Sequence, residues 1–224
     1  MDTAQETALE RLRTVERGAR NPVRSRLNAW LFRLLDGYQH RRLGAVKREA
    51  FGGLPPTVLE IGAGAGANLR YLGAGTRVIA VEPNRYMHPY LRAAARRWGI
   101  HLDLREGTAE CLPLADASVS AVVSSLVLCS VRDPEAVLRE IQRVLRPGGR
   151  FWCVEHVRAP AGTALAALQR IVARPWRWFF EGCECRDLAG LLCAAGFASV
   201  EVKPFSFRTI FLPVRTAITA VAVR

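Results

Sequence analysis

Glycines stand at positions 62, 64 and 66, Glu60 precedes them, and Glu82 follows the first of them by 20 residues. Glycine lets a ligand come against the backbone, where main-chain N–H groups hold it, and an acid one strand further on suits ribose hydroxyls. Read as Gly62-Ala-Gly64-Ala-Gly66-Ala, the run is a tolerable dinucleotide fingerprint with Glu82 in the ribose-binding place. By itself it fits a nicotinamide dinucleotide and S-adenosylmethionine alike. Glu60 separates the two: its charge would repel a pyrophosphate, whereas it suits an ammonium group, directly or through a water. His156, beside Glu155, is a candidate general base or acceptor-orienting group. Cys129 reads as a small buried residue. Cys183 and Cys185 form a C-x-C pair with no second pair at zinc-finger spacing, so no metal centre is expected.

The elements that would position these residues follow from periodicity. Residues 1–20 are polar, with Leu9, Leu12 and Val15 spaced as on a helix face. A second helix follows Pro22, with Leu27, Leu31, Leu34 and Leu35 three to four residues apart, and it reads either as a helix packed on the core or as a lid over a cleft. From Thr57 the pattern alternates: strand 58–61, helix-like ANLRYL, strand 77–82, helix 89–99, strand 119–125, helix 133–145 and strand 150–156. Such alternation predicts an α/β, doubly wound, mostly parallel sheet with right-handed crossovers. A helix over 187–197 and two alternating runs, SVEVKPFSF and AITAVAVR, close the chain as an antiparallel hairpin at the sheet edge.

The 224 residues fit one domain: a helical extension or lid over 1–50, then a ligand-binding domain over 51–224 with a cap insertion at 160–182. The net charge of +12 would ordinarily suggest nucleic acid or an anionic membrane. However, 30 of the 32 basic residues are arginine and the chain is rich in alanine, a pattern that a G+C-rich genome also produces. No RNA-binding module is recognisable, so nucleic acid is not the expected partner. The stretch LQRIVARPWRWFF mixes arginine with aromatics. It could roof an apolar pocket, rest on an anionic lipid surface, or simply pack as a cap helix. No signal-peptide pattern opens the sequence and no apolar run reaches the roughly 18 residues of a membrane span. A cytoplasmic protein with reduced thiols is expected.

The runs VLEIGAGAGAN, VIAVEPN, GTAECLPLADASVSAVV and VLRPGGRF, in this order, resemble the successive motifs of seven-stranded S-adenosylmethionine-dependent methyltransferases over roughly Phe51 to His156. The resemblance implies strand order 3-2-1-4-5-7-6 with the last strand antiparallel, and S-adenosylmethionine across the carboxyl ends of the first strands. It places Gly62, Gly64 and Gly66 along the methionine portion, with Glu60 beside the ammonium, and gives Glu82 both ribose hydroxyls. Pro83 and Asn84 would flank the adenine, near Thr108, Ala109 and Glu110, with Ser125 and Leu126 completing the cofactor site. Thr108 departs from the aspartate common there, replacing a charged acceptor with a hydroxyl. The runs YQHRRLGAVKREAF, SSLVLCSV, EHV and FFEGC narrow the resemblance to the animal microsomal alkyl-thiol methyltransferases and their bacterial relatives. Those animal enzymes begin with an apolar anchor, so membrane insertion is not carried over; a peripheral contact with an anionic membrane stays open. A small apolar acceptor is implied, a thiol first, with phospholipid amine or natural-product O-, N- or C-methylation as alternatives. A scaffold that binds the cofactor without turnover is a further alternative, because Val127-Leu128-Cys129-Ser130 stands where many relatives place a histidine.

Overall fold

The computed structural model describes residues 22–180 and 182–224; the helix expected over 1–20 lies outside the described residues. The first element among the described residues, α1 (Pro22–Phe51), starts on a proline, whose fixed φ suits a first helical turn. The two halves of α1 pack differently. Its C-terminal half drives Phe51 into the sheet against Val58, Val123 and Val154, while Ser25, Phe32, Leu35 and Asp36 of the other half wall a cavity.

Strands β1 (Thr57–Ile61), β2 (Arg77–Val81), β3 (His101–Arg105), β4 (Val119–Ser125), β5 (Leu145–His156), β6 (Ser199–Ser206) and β7 (Thr216–Val223) form one sheet in the order β3-β2-β1-β4-β5-β7-β6. The first five run parallel, and β7 is antiparallel to both neighbours. Burial is almost complete along β1 and β4, as expected of strands covered on both faces. Helices α2 (His88–Trp98), α3 (Pro134–Val144), α4 (Ala164–Phe179) and α5 (Leu188–Ala194) complete the layers. Asp133 caps α3 by accepting from the Ala136 N–H, and Val137, Leu138, Ile141 and Val144 form its buried stripe. Gly99 ends α2 in the left-handed conformation, as its position after a helical run predicts.

Two expectations need correction. The segment ANLRYL is not an α-helix: it makes one 3-10 turn, Leu69–Tyr71, because the Asn68 side chain is committed to buried partners, Gly73 and Gly75 follow at once, and β2 must begin at Arg77. The glycine loop therefore leads into no helix dipole. In addition, β5 begins at Leu145 rather than at 150, and the Pro147-Gly148-Gly149 turn lies inside it. The Gly148 N–H donates to the Arg224 carbonyl and the Arg224 N–H to that of Gly149, so the end of the chain supplies partners that hold this run in the sheet.

Candidate active site

Strand β1 lies between β2 and β4, where the crossover direction reverses, and doubly wound sheets bind ligands at the carboxyl ends beside such a point. A cavity of about 990 Å³ opens there, lined by the loops that follow β1, β2, β3 and β4, by the end of β5, and by α1 and α4.

The glycine loop forms one wall. Gly62 has φ +59°, and a Cβ on it would lie 2.6 Å from the Val127 side chain, so the loops after β1 and β4 touch with no room for a side chain. Gly64 has φ +55°, and a Cβ on it would meet only the Gly62 carbonyl at 3.9 Å, leaving bare backbone against the cavity. Gly66 packs against Leu91 and Ala94 of α2 and is not on the cavity wall. Glu82 lines the cavity and is 5% exposed. Its Oε2 accepts from the Gly64 N–H at 2.8 Å and its Oε1 from the Asn84 N–H at 2.7 Å, which ties the glycine loop to the loop after β2. Asn84 also donates to the Ser25 carbonyl, joining α1 to the same loop.

Pro83, Asn84, Thr108, Ala109, Glu110, Ser125 and Leu126 all line the cavity. Glu110 accepts from the Arg132 N–H at 3.0 Å. Ser125 Oγ is buried and makes no hydrogen bond. Leu126 is held at φ +61°, a conformation that costs a branched residue energy and is retained here by hydrogen bonds on either side: Leu126 N–H to the Val154 carbonyl, and Val127 N–H to Glu155 Oε1. The bare backbone at Gly64, the unsatisfied Ser125 hydroxyl and the Glu82 carboxylate together fit an adenosine-bearing ligand with hydroxyls and a polar tail.

Glu60 is fully buried beneath the glycine loop and does not reach the cavity wall. Its Oε1 accepts from Asn68 Nδ2 at 2.7 Å, and Asn68 Oδ1 accepts from Lys47 Nζ at 2.8 Å. Lys47 and Asn68 line the cavity, so the charge of Glu60 acts on a ligand only through them. Burial raises Glu60 to about 7 and lowers Lys47 to about 8. Sequence reasoning passed over Lys47. The available signal was its type, one of two lysines in a chain that otherwise uses arginine, since lysine accommodates burial by shifting its pKa.

The far end of the cavity is aromatic. On α4, Trp176 and the following Phe180 turn inward, with Phe211 and Val214 opposite, whereas Trp178 and Phe179 are exposed. Residues of this one segment thus divide between the cavity and the outer surface. His156 ends β5 here, nearly buried, its ring stacked on Phe207 and its Nδ1 without a hydrogen-bond partner. Cys129 and Cys183 face it, their Sγ atoms 3.7 Å apart, and the Glu184 N–H donates to the Cys129 carbonyl, fastening the two loops together. The Cys129 thiol and His156 beside it push Cys183 below its ordinary value, while Cys129 is pushed up. Cys185, the other half of the C-x-C pair, points instead at the Pro213 carbonyl. His40 pairs with the Tyr71 hydroxyl and His88 with the Glu82 carbonyl, both structural contacts.

An open sheet of this order, a glycine loop after β1 and an acid closing β2 on one cavity define the class of doubly wound proteins that hold an adenosine-bearing cofactor. Residues 59–153 match the family model described as a methyltransferase domain. The chain is 31% identical over 222 residues to the rat thiol S-methyltransferase TMT1B, covering 92% of this chain and 90% of that protein. It is 33% identical over 177 residues to human thiol S-methyltransferase TMT1A, covering 73% and 72%. A crystal structure of an S-adenosylmethionine-dependent methyltransferase from Thermotoga maritima matches with TM-score 0.62 at 22% identity, covering 85% of this chain and 96% of that one. The chain belongs to the S-adenosylmethionine-dependent methyltransferases, in the family that holds these thiol S-methyltransferases.

Proposed function

We propose that this enzyme methylates the sulfur of a small apolar thiol. The observation that carries the reading is the continuity of one cavity from the Glu82 and glycine-loop end to the aromatic end at Trp176, Phe180 and Phe211, so that a cofactor and an apolar acceptor can meet without crossing solvent. The thiol acceptor of TMT1A and TMT1B, whose chains this one matches over most of their length, supports the same choice.

S-adenosylmethionine supplies an electrophilic methyl group on a sulfonium. The protein's own task is chiefly alignment, because in-line displacement is accelerated by holding the reacting atoms in near-attack geometry. Glu82, fixed by its two amide donors, receives the ribose hydroxyls, and the backbone at Gly62 and Gly64 supports the methionine portion, with Lys47 and Asn68 at its polar end. Ser125 and Leu126 complete the cavity wall at the cofactor end. Trp176, Phe180 and Phe211 exclude water and take up the acceptor's apolar body. A thiol with pKa ~8.5 is already a few per cent thiolate near neutrality. No general base is therefore required of His156, and its end of the cavity needs only to orient the acceptor sulfur. A peripheral contact with an anionic membrane belongs to the same proposal, through exposed Ile171, Trp178 and Phe179 beside Arg170, Arg174 and Arg177.

The test is cofactor turnover. Purified protein with S-adenosylmethionine and a panel of alkyl thiols, phenols, amines and phosphatidylethanolamine vesicles should form S-adenosylhomocysteine, read by mass spectrometry, with the thiols alone. Product with the vesicles alone moves the enzyme to lipid amine methylation, and product with phenols alone to O-methylation.

A further inference from the structure

Three residues that the cofactor site leaves unused come together at the acceptor end. Cys129 belongs to the connection from β4 to α3, His156 to the end of β5, and Cys183 to the connection after α4. One ligand atom from each lies within 4.8 Å of the other two, and this is the one such group of His, Cys, Asp or Glu ligands among the described residues. All three are buried and all three line the cavity.

Their chemistry and spacing are those of a soft metal. A tetrahedral zinc site with Zn–S bonds of ~2.3 Å has sulfur–sulfur edges of about 3.8 Å, and the two Sγ atoms stand 3.7 Å apart. Buried thiols that merely fill the core would not need an imidazole beside them, and a buried ring nitrogen seldom goes without a partner, yet His156 Nδ1 has none. The frame is also rigid: His156 pairs with Ala217 of β7, and the Glu184 N–H holds the Cys183 loop to the Cys129 carbonyl. Closed structural zinc sites use four protein ligands, whereas sites that act on a substrate use three and leave one position open.

We propose that Cys129, His156 and Cys183 bind a zinc ion whose fourth position opens into the cavity and takes the acceptor sulfur. This deepens the thiol-methylation reading and rests on it. Metal loading releases the two cysteine protons. When the acceptor binds, its S–H bond breaks, the electron pair forms the metal–sulfur bond, and the proton leaves to solvent. In transfer, a new C–S bond forms to the methyl carbon, and the sulfonium's C–S bond breaks with its electron pair left on the departing thioether. The methylated product, now a neutral thioether, is a poor zinc ligand and leaves. The site thus orients the acceptor and keeps it as thiolate below its free pKa, a role the missing histidine after β4 could not fill.

The experiment uses full-length reduced protein, freed of metal by a chelator, then loaded with Zn²⁺ or with Co²⁺ as a coloured probe. Expected are one metal per chain by elemental analysis and, with Co²⁺, tetrahedral d–d bands with sulfur-to-cobalt charge transfer. Cys129→Ser, Cys183→Ser and His156→Ala should each weaken metal binding by more than about 100-fold, beyond what loss of an outer-sphere partner costs. Cys193→Ser, at an exposed thiol, should change nothing. An alkyl thiol should shift the Co²⁺ bands, and a matching thioether should not. Reduced wild-type protein that takes up no metal overturns the proposal, as does binding that survives all three variants or mapping of Cys129 and Cys183 as a disulfide in the active enzyme. Unshifted bands on thiol addition overturn the acceptor role. Wild-type turnover of thiols is measured separately: its persistence without metal removes this proposal and leaves thiol methylation standing, whereas its absence with metal bound removes the latter.

Discussion

Replacing Glu82 with alanine tests the cofactor site most directly. The carboxylate is nearly buried at the end of β2, so hydrogen bonds to it are charge-assisted and little weakened by solvent. Such bonds contribute about 1.5–3 kcal/mol, and losing that much from the ribose contacts raises Kd for S-adenosylmethionine by about 10- to 150-fold. The substitution also strips acceptors from the Gly64 and Asn84 N–H groups at 2.8 and 2.7 Å. The free protein should therefore melt lower, by about 2–4 °C for each kcal/mol lost in a chain of this size. Calorimetric titration well below that melting point, with circular dichroism confirming the fold, separates the two effects. Glu82→Gln, which keeps one carbonyl acceptor but no charge, should fall between wild type and alanine. A Kd within twofold of wild type for Glu82→Ala would refute the placement of the ribose, because among the described residues no other carboxylate on this wall accepts from the glycine loop.

Burial raises Glu60 from 4.5 to about 7, so the folded state holds its proton through an interval in which the unfolded chain has lost it. Stability from this group therefore falls as pH rises from about 4.5 to about 7, by on the order of 3 kcal/mol, and Glu60→Gln should remove that slope from denaturant midpoints measured across the interval. A wild-type slope preserved in the variant would mean another group carries it. Trp178→Ala with Phe179→Ala should reduce binding to anionic vesicles at least tenfold, at roughly 1.5–3 kcal/mol for each large apolar side chain no longer buried, while cofactor affinity stays unchanged. Vesicle binding that is insensitive to both the substitutions and added salt would exclude this face as the contact.

The alternation of strands and helices was legible because each signal is local: a strand turning into glycine, an acid closing the next strand, and a capped amphipathic run such as Asp133 to Val144; the order of the strands came from the resemblance, because pairing across the sheet is not local. What misled was a pattern without room, since ANLRYL has helical spacing but the chain has to reach Arg77 within a few residues. The three-ligand cluster was illegible for the opposite reason. Cys129, His156 and Cys183 are 27 residues apart in sequence, each in a different short run with no metal-ligand spacing to the others, and the register of β5 on β7 and one backbone hydrogen bond bring them together. The nearer pair, Cys183 with Cys185, attracted attention by spacing and then pointed two ways.

The loops after β1 and β4 can change only in concert. Any side chain at position 62 would strike Val127, and Val127 cannot retreat because its own N–H is fastened to buried Glu155. A smaller residue at 127 would have to come first, and even then position 62 would bear a positive φ. The order of the two steps is thus fixed: one path between variants of this site is open and its reverse is closed. In an evolving population the pair would behave as a ratchet, so that a neutral trimming at 127 sets which glycine-loop sequences the enzyme can ever sample.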